Sequence, residues 1–144
     1  MVGTCRYVSL NAHKGYELSK RDDLITLGYV MVNLITGELP WQGKHSSNPS
    51  VRNKLVATMK QQCLNEKLCE GLPPQFLEYM NYAMSLEFDQ PPDFTYLKKL
   101  VWSAASDNCI ELFDNVFDWS IKLTQPKQTK DVNGSNQLIE ESNN

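Results

Sequence analysis

The most strongly patterned segment of the chain opens at Ser19-Lys20-Arg21-Asp22, where a hydroxyl and a carboxylate three residues on have the spacing of a capping box. Leu24, Ile25, Leu27, Tyr29, Val30, Met31, Val32, Leu34 and Ile35 follow and place apolar side chains on nearly every face of a helix. A helix apolar all round is one surrounded by protein, so the pattern predicts a central buried helix over 20–36. Gly37 stops it and Pro40 keeps it stopped. Gly37 to Ser47 reads as a loop, after which Asn48-Pro49 is a cap followed by a first-turn proline. Val51, Leu55 and Met59 then repeat at helical spacing to about Cys63. Pro73-Pro74 opens a further helix carrying Phe76, Leu77, Met80, Ala83 and Met84. Gln90-Pro91-Pro92 breaks the chain, and Asp93 caps a helix with Leu97, Leu100, Val101 and Ala104 on one face. Ile110 to Trp119 reads as a short final helix or turn. Residues 1–16 read as an irregular lead-in, with a hint of extended alternation from Cys5 to Leu10. The expected fold class is mainly α.

Composition adds bounds. With 144 residues, 41% of them hydrophobic, the chain can build the core of one small domain. The domain is expected over 1–123, followed at 124–144 by a polar, disordered tail whose only aliphatic residues are Val132, Leu138 and Ile139. Fourteen basic against 17 acidic residues give a net charge of −3, which exerts no general pull toward nucleic acid or anionic lipid. The apolar run from Leu24 to Ile35 is shorter than the roughly 20 residues a membrane span needs and is interrupted by Thr26, Gly28 and Asn33. No hydrophobic signal region follows Met1, so no secretion is expected, nor is any contact with a membrane or nucleic acid.

Candidate chemistry is sparse. Cys5, Cys63, Cys69 and Cys109 form no C-x-x-C pair, and His13 and His45 complete no zinc set, so reduced, mostly buried thiols and no metal are expected. The stretch from Gly37 to His45 imitates a phosphate loop, but it is one residue too long, follows a helix, and has His45 where Ser or Thr must hold magnesium. No serine-hydrolase elbow exists. A Cys5–His13 pairing carries little weight, because many chains offer one.

The order of several short motifs says more. Gly3-Thr4-Cys5-Arg6-Tyr7-Val8-Ser9-Leu10-Asn11 resembles the end of the activation segment in casein kinase 1 family serine/threonine protein kinases, G-T-x-R-Y-A-S-x-N. Arg21-Asp22-Asp23-Leu24-Ile25-Thr26-Leu27-Gly28-Tyr29 resembles that family's R-D-D-L-x-S-L-G-Y, and Leu39-Pro40-Trp41-Gln42-Gly43 matches its L-P-W-Q-G. Leu68-Cys69-Glu70-Gly71-Leu72-Pro73, Pro92-Asp93-Phe94-Thr95-Tyr96-Leu97 and Phe117-Asp118-Trp119 resemble further family motifs in the same order. The resemblance runs from Gly3 to about Leu123 and implies part of a kinase C-terminal lobe built around the 20–36 helix.

Residue by residue, the resemblance implies roles. Thr4 and Tyr7 border the pocket beside the phosphoacceptor. Arg6, Arg52 and Gly43 correspond to a site for a phosphate already present on the substrate, for which a guanidinium is well shaped. Relatives carry T-K-R-Q-K where this chain has Asn48-Pro49-Ser50-Val51-Arg52, so two positive charges of that cluster are missing at positions 49 and 50. Asp23, Gly28 and Trp41 take structural roles, Asp23 as the carboxylate that binds catalytic-loop amides in the family; a helix-start charge near the positive dipole end explains it equally.

Phosphoryl transfer uses a glycine-rich loop, a strand lysine, H-R-D with its asparagine and D-F-G for magnesium. None occurs here, so no catalytic residue, ATP site or metal ligand is expected in the chain, and it is expected to be inactive alone. The resemblance implies a parent that uses ATP and magnesium to phosphorylate Ser or Thr of acidic or already phosphorylated proteins, in the cytoplasm with the nucleus as a second compartment. Protein substrates, and a partner covering the part of the lobe not represented, are the expected partners. A non-catalytic binding lobe is the alternative.

Overall fold

In a computed structural model the described residues are 4–43 and 47–114. Helices α1 (Leu10–Lys14), α2 (Lys20–Thr36), α3 (Pro49–Gln62), α4 (Asn65–Leu68), α5 (Pro74–Ser85) and α6 (Phe94–Asp107) follow in order, with no strand among the described residues. The mainly α expectation is met. One compact unit ends at Glu111, and the second, from Leu112, is described only to Asp114. The expected boundary at 123, the tail and the Phe117-Asp118-Trp119 motif lie outside the described residues.

Helix α2 has the bounds its pattern predicts. Asp22 accepts from the Ser19 backbone amide at 3.0 Å, the carboxylate half of a capping box, and Gly37 ends the helix at φ 82°, where a residue with a Cβ would be strained. The side of α2 bearing Gly28 packs on α5, and α5 packs on α6. The core gathers Leu24, Ile25, Tyr29 and Val32 of α2 with Tyr79, Met80 and Ala83 of α5 and Leu97 and Leu100 of α6. Gly28 is what lets α2 and α5 approach: a Cβ there would overlap Met80 Sδ and sit 3.2 Å from Tyr79 Cε1.

Three expectations are corrected. The all-round apolar α2 is not enclosed, since Leu27, Leu34 and Ile35 are exposed. On α3 the buried stripe is Val56 and Lys60, while Val51 and Leu55 face water, so the inward face is rotated from the one the apolar spacing suggested. The lead-in is also more ordered than expected. Residues 5–7 form a turn, and Ser9 starts α1 by accepting the Ala12 amide on its hydroxyl at 3.2 Å. Gly15 closes α1 at φ 74°. After α6, Cys109 adopts φ 55°, and of the short helix or turn expected over 110–119 residues 112–113 form a turn, while 115–119 lie outside the described residues.

Candidate functional site

The segment Thr4–Val8 is a tight turn whose carbonyl groups are nearly all engaged. Thr4 O accepts the amides of Tyr7 at 2.9 Å and Val8 at 3.3 Å. Arg6 O accepts the Trp41 indole N–H at 2.7 Å, which joins the turn to the Leu39–Gly43 loop. The Arg6 guanidinium stays exposed, 5.8 Å from the centroid of the Tyr7 ring. A charged fork held over an aromatic face by a fixed backbone remains available to an external anion.

The loop itself is fixed by Gln42. Its side-chain oxygen accepts the Leu39 amide at 2.8 Å, and its Nε2 donates to Asn33 Oδ1 at 2.8 Å. Asn33, on α2, donates in turn to the Tyr7 hydroxyl at 3.3 Å. Trp41 is buried and meets Tyr29 edge to face with ring centroids 4.9 Å apart. Turn, loop and α2 therefore share one polar and aromatic seam, with Gly43 at the exposed end of the loop at φ 71°.

Lys60 closes the seam from α3, and no expectation from sequence pointed to it. Its ammonium donates to Val8 O at 2.5 Å and to Cys5 O at 3.1 Å. It also lies 5.0 Å from the Tyr29 ring centroid and 5.1 Å from that of Trp41. Burial pulls its pKa down to about 8, partly opposed by nearby Cys5. The same ammonium acts on His13 of α1, which burial and then Lys60 hold below its ordinary value. The signal in the sequence was the i, i+4 spacing from Val56, which puts Lys60 on the buried side of α3.

At the start of α2 the two neighbouring carboxylates part company. Asp22 is buried, accepts the Ser9 hydroxyl at 2.6 Å and Asn11 Nδ2 at 2.9 Å, and lies 3.8 Å from Arg21 Nε. Burial alone would raise its pKa, but the Ser9, Ser19 and Asn11 hydrogen bonds and Arg21 together hold it below the ordinary carboxylate value. Asp23 is exposed. Arg21 also donates to Leu86 O at 3.3 Å and stands 5.8 Å from the Phe88 ring centroid, tying α2 to the chain after α5.

The sequence-predicted residues thus fall into two groups. Arg6, Tyr7, Trp41 and, at the loop end, Gly43 are brought into one neighbourhood, with Thr4 at its edge, exposed. Arg52 is exposed in the first turn of α3, the same helix whose last turn carries Lys60. Gly28 lies apart, at the α2–α5 contact. Burial pushes the Cys69 thiol up to about 11 and raises that of Cys63 as well, which makes neither a ready nucleophile. Among the described residues no group of three His, Cys, Asp or Glu side chains could hold a metal ion, and no helix is long and apolar enough to cross a membrane.

No protein-family model matches the chain. Among curated proteins it is similar to casein kinase I homolog 2 of Schizosaccharomyces pombe, with 40% identity over 121 residues. The aligned region is 84% of this chain and 28% of that protein, so the chain spans well under half the length of the curated relative it matches. That identity, together with the helical fold, makes this a casein kinase 1-like chain that corresponds to part of a kinase C-terminal lobe.

Proposed function

We propose that the chain supplies the substrate-facing part of a casein kinase 1-like serine/threonine kinase, with Arg6, Gly43 and Arg52 forming a surface for a phosphate already carried by the protein substrate. The observation that carries this reading is the 2.7 Å bond from the Trp41 indole to Arg6 O. It fixes the arginine's backbone against the loop that ends in Gly43, while leaving the guanidinium exposed. The parent kinase would use ATP and magnesium to phosphorylate Ser or Thr of acidic or primed proteins in the cytoplasm and nucleus. This polypeptide, which carries no glycine-rich loop, H-R-D or D-F-G, would bind such substrates without transferring phosphate.

Calorimetric titration with a phosphoserine peptide and its unphosphorylated twin tests the phosphate surface. Tighter binding of the phosphopeptide is expected by about tenfold, the size of one charge-assisted hydrogen bond of roughly 1.5 kcal/mol. The preference should shrink with added salt and in Arg6→Ala and Arg52→Ala. Equal affinity for the two peptides would overturn the reading.

A second reading, a non-catalytic lobe held by a partner, is favoured by the exposed Leu27, Leu34 and Ile35 of α2. The size of the native product separates the two. A band near 16.5 kDa supports the module, and one at least about twice that size supports a kinase parent.

A further inference from the structure

Lys60 is a lysine with only 4% of its surface exposed, and among the described residues no carboxylate forms an ion pair with it. Burying an ammonium is costly unless other groups take over the work of water. Here two carbonyls and two ring faces do so: Val8 O and Cys5 O accept from Nζ, while Tyr29 and Trp41 present their rings to it. The two carbonyls flank Arg6, and the carbonyl of Arg6 itself is taken by Trp41. The backbone on either side of the arginine is therefore set by a residue more than fifty positions away, in the last turn of the helix that carries Arg52 in its first.

We propose that Lys60 is a positioning residue for the phosphate surface: its ammonium holds the Cys5–Val8 turn so that Arg6 presents its guanidinium beside the Trp41 loop. The proposal rests on the phosphate reading above. An apolar residue of similar length would fill the same space and keep the core packed, but it could not orient two carbonyls. Retaining a charged donor at a desolvated position is accounted for by the turn it organises.

Lys60→Met removes the donors at nearly constant length, and Lys60→Arg keeps them. The full chain and both variants are titrated with the phosphopeptide and its unphosphorylated twin, and native-state trypsin cleavage after Arg6 is timed. Lys60→Met should bind the phosphopeptide about fivefold more weakly, as one lost hydrogen bond would cause, with faster cleavage after Arg6. Lys60→Arg should restore most of both, which a purely space-filling role would not predict. If the wild type prefers the phosphopeptide and folded Lys60→Met keeps that preference in full, the positioning role is refuted and the phosphate reading stands. No preference in the wild type refutes the phosphate reading, and the proposal with it. Should Lys60→Met not fold, hydrogen exchange on the wild type decides: phosphopeptide should protect residues 4–8 and 56–62 together. Protection of 4–8 alone would refute the coupling through Lys60.

Discussion

The Ser9 hydroxyl donates to Asp22 Oδ1 at 2.6 Å across thirteen positions of sequence, and both residues are buried. Ser9 is at the same time the N-cap of α1, accepting the Ala12 amide, and Asp22 is at the same time the third residue of α2, accepting the Ser19 amide. One short hydrogen bond thus clasps two helix starts together. It also separates two adjacent carboxylates that look equivalent in sequence, because Asp22 turns inward to the cluster and Asp23 is left outside.

The first prediction is acid sensitivity at this corner. The folded pKa of Asp22 lies below its ordinary value of 3.8, so the carboxylate's contribution is fully present above that value and is lost as pH falls through the folded pKa. His13 acts in the same direction at higher pH. Its folded pKa lies below 6.5, so the unfolded chain gains a proton first and stability declines as pH drops through 6.5. Chemical denaturation from pH 7 to 3 should show the His13 loss and the onset of the Asp22 loss. Ser9→Ala, which leaves a buried carboxylate oxygen short of a donor, should cost about 1–3 kcal/mol at pH 7. An unchanged midpoint in that variant would show that the clasp contributes nothing.

Gly28→Ala should destabilise the protein by about 1–3 kcal/mol through overpacking. The new methyl would overlap Met80 Sδ. Methionine is an adaptable side chain, but Met80 is 1% exposed and belongs to the core cluster, so its sulfur can move only by displacing other core side chains. The urea midpoint should fall with an unchanged slope, since the surface exposed on unfolding is almost the same. A midpoint equal to wild type would mean that α5 shifts freely against α2.

How much of this was legible from sequence depends on what set each feature. The limits of α2 were legible because local chemistry sets them, a carboxylate three residues after Ser19 and a glycine at positive φ. The inward face of α3 was not, because Val51, Leu55 and Met59 repeat as regularly as Val56 and Lys60, and only tertiary packing chooses between them. Helix α1, five residues long, has caps but no apolar stripe of its own. The burial of Lys60 was not legible because a lysine beside Met59 and Gln61 reads as a solvated charge until Cys5 O and Val8 O come to meet it. The residues of the Arg6–Trp41 site were named through resemblance to a family, whereas the indole-to-carbonyl bond that joins them is a fact of the fold.

Purified chain should not phosphorylate casein in the presence of ATP and magnesium. No lysine, base and magnesium-binding acid in kinase motifs are present to position a γ-phosphate and neutralise its developing charge, and electrostatic positioning is most of what this catalysis consists of. Incorporation of radiolabel that survives repeated purification, and disappears with none of the usual contaminating kinases, would overturn the prediction.

The surface of α2 makes the last prediction. Leu27 is 48% exposed and Leu34 76% exposed, and seven residues of helix place them on one face, with Asp23 one turn before Leu27. Ile35 extends the patch at 52% exposure. Fully removing one leucine side chain from water is worth about 1.5–3 kcal/mol, so two copies that pair these faces would gain several such increments for each helix. Asp23 stands one turn before Leu27 and Glu38 four residues after Leu34, so along the chain these two carboxylates flank the stripe and do not lie within it. The isolated chain should therefore self-associate, or bind a hydrophobic dye, at micromolar concentration. Leu27→Glu combined with Leu34→Glu should abolish both without loss of helical circular dichroism, because neither side chain belongs to the core cluster. Size-exclusion chromatography with dye titration gives the answer. A wild-type protein that runs as a dye-silent monomer would show that the open face of α2 tolerates water, and would remove the structural argument for a covering partner.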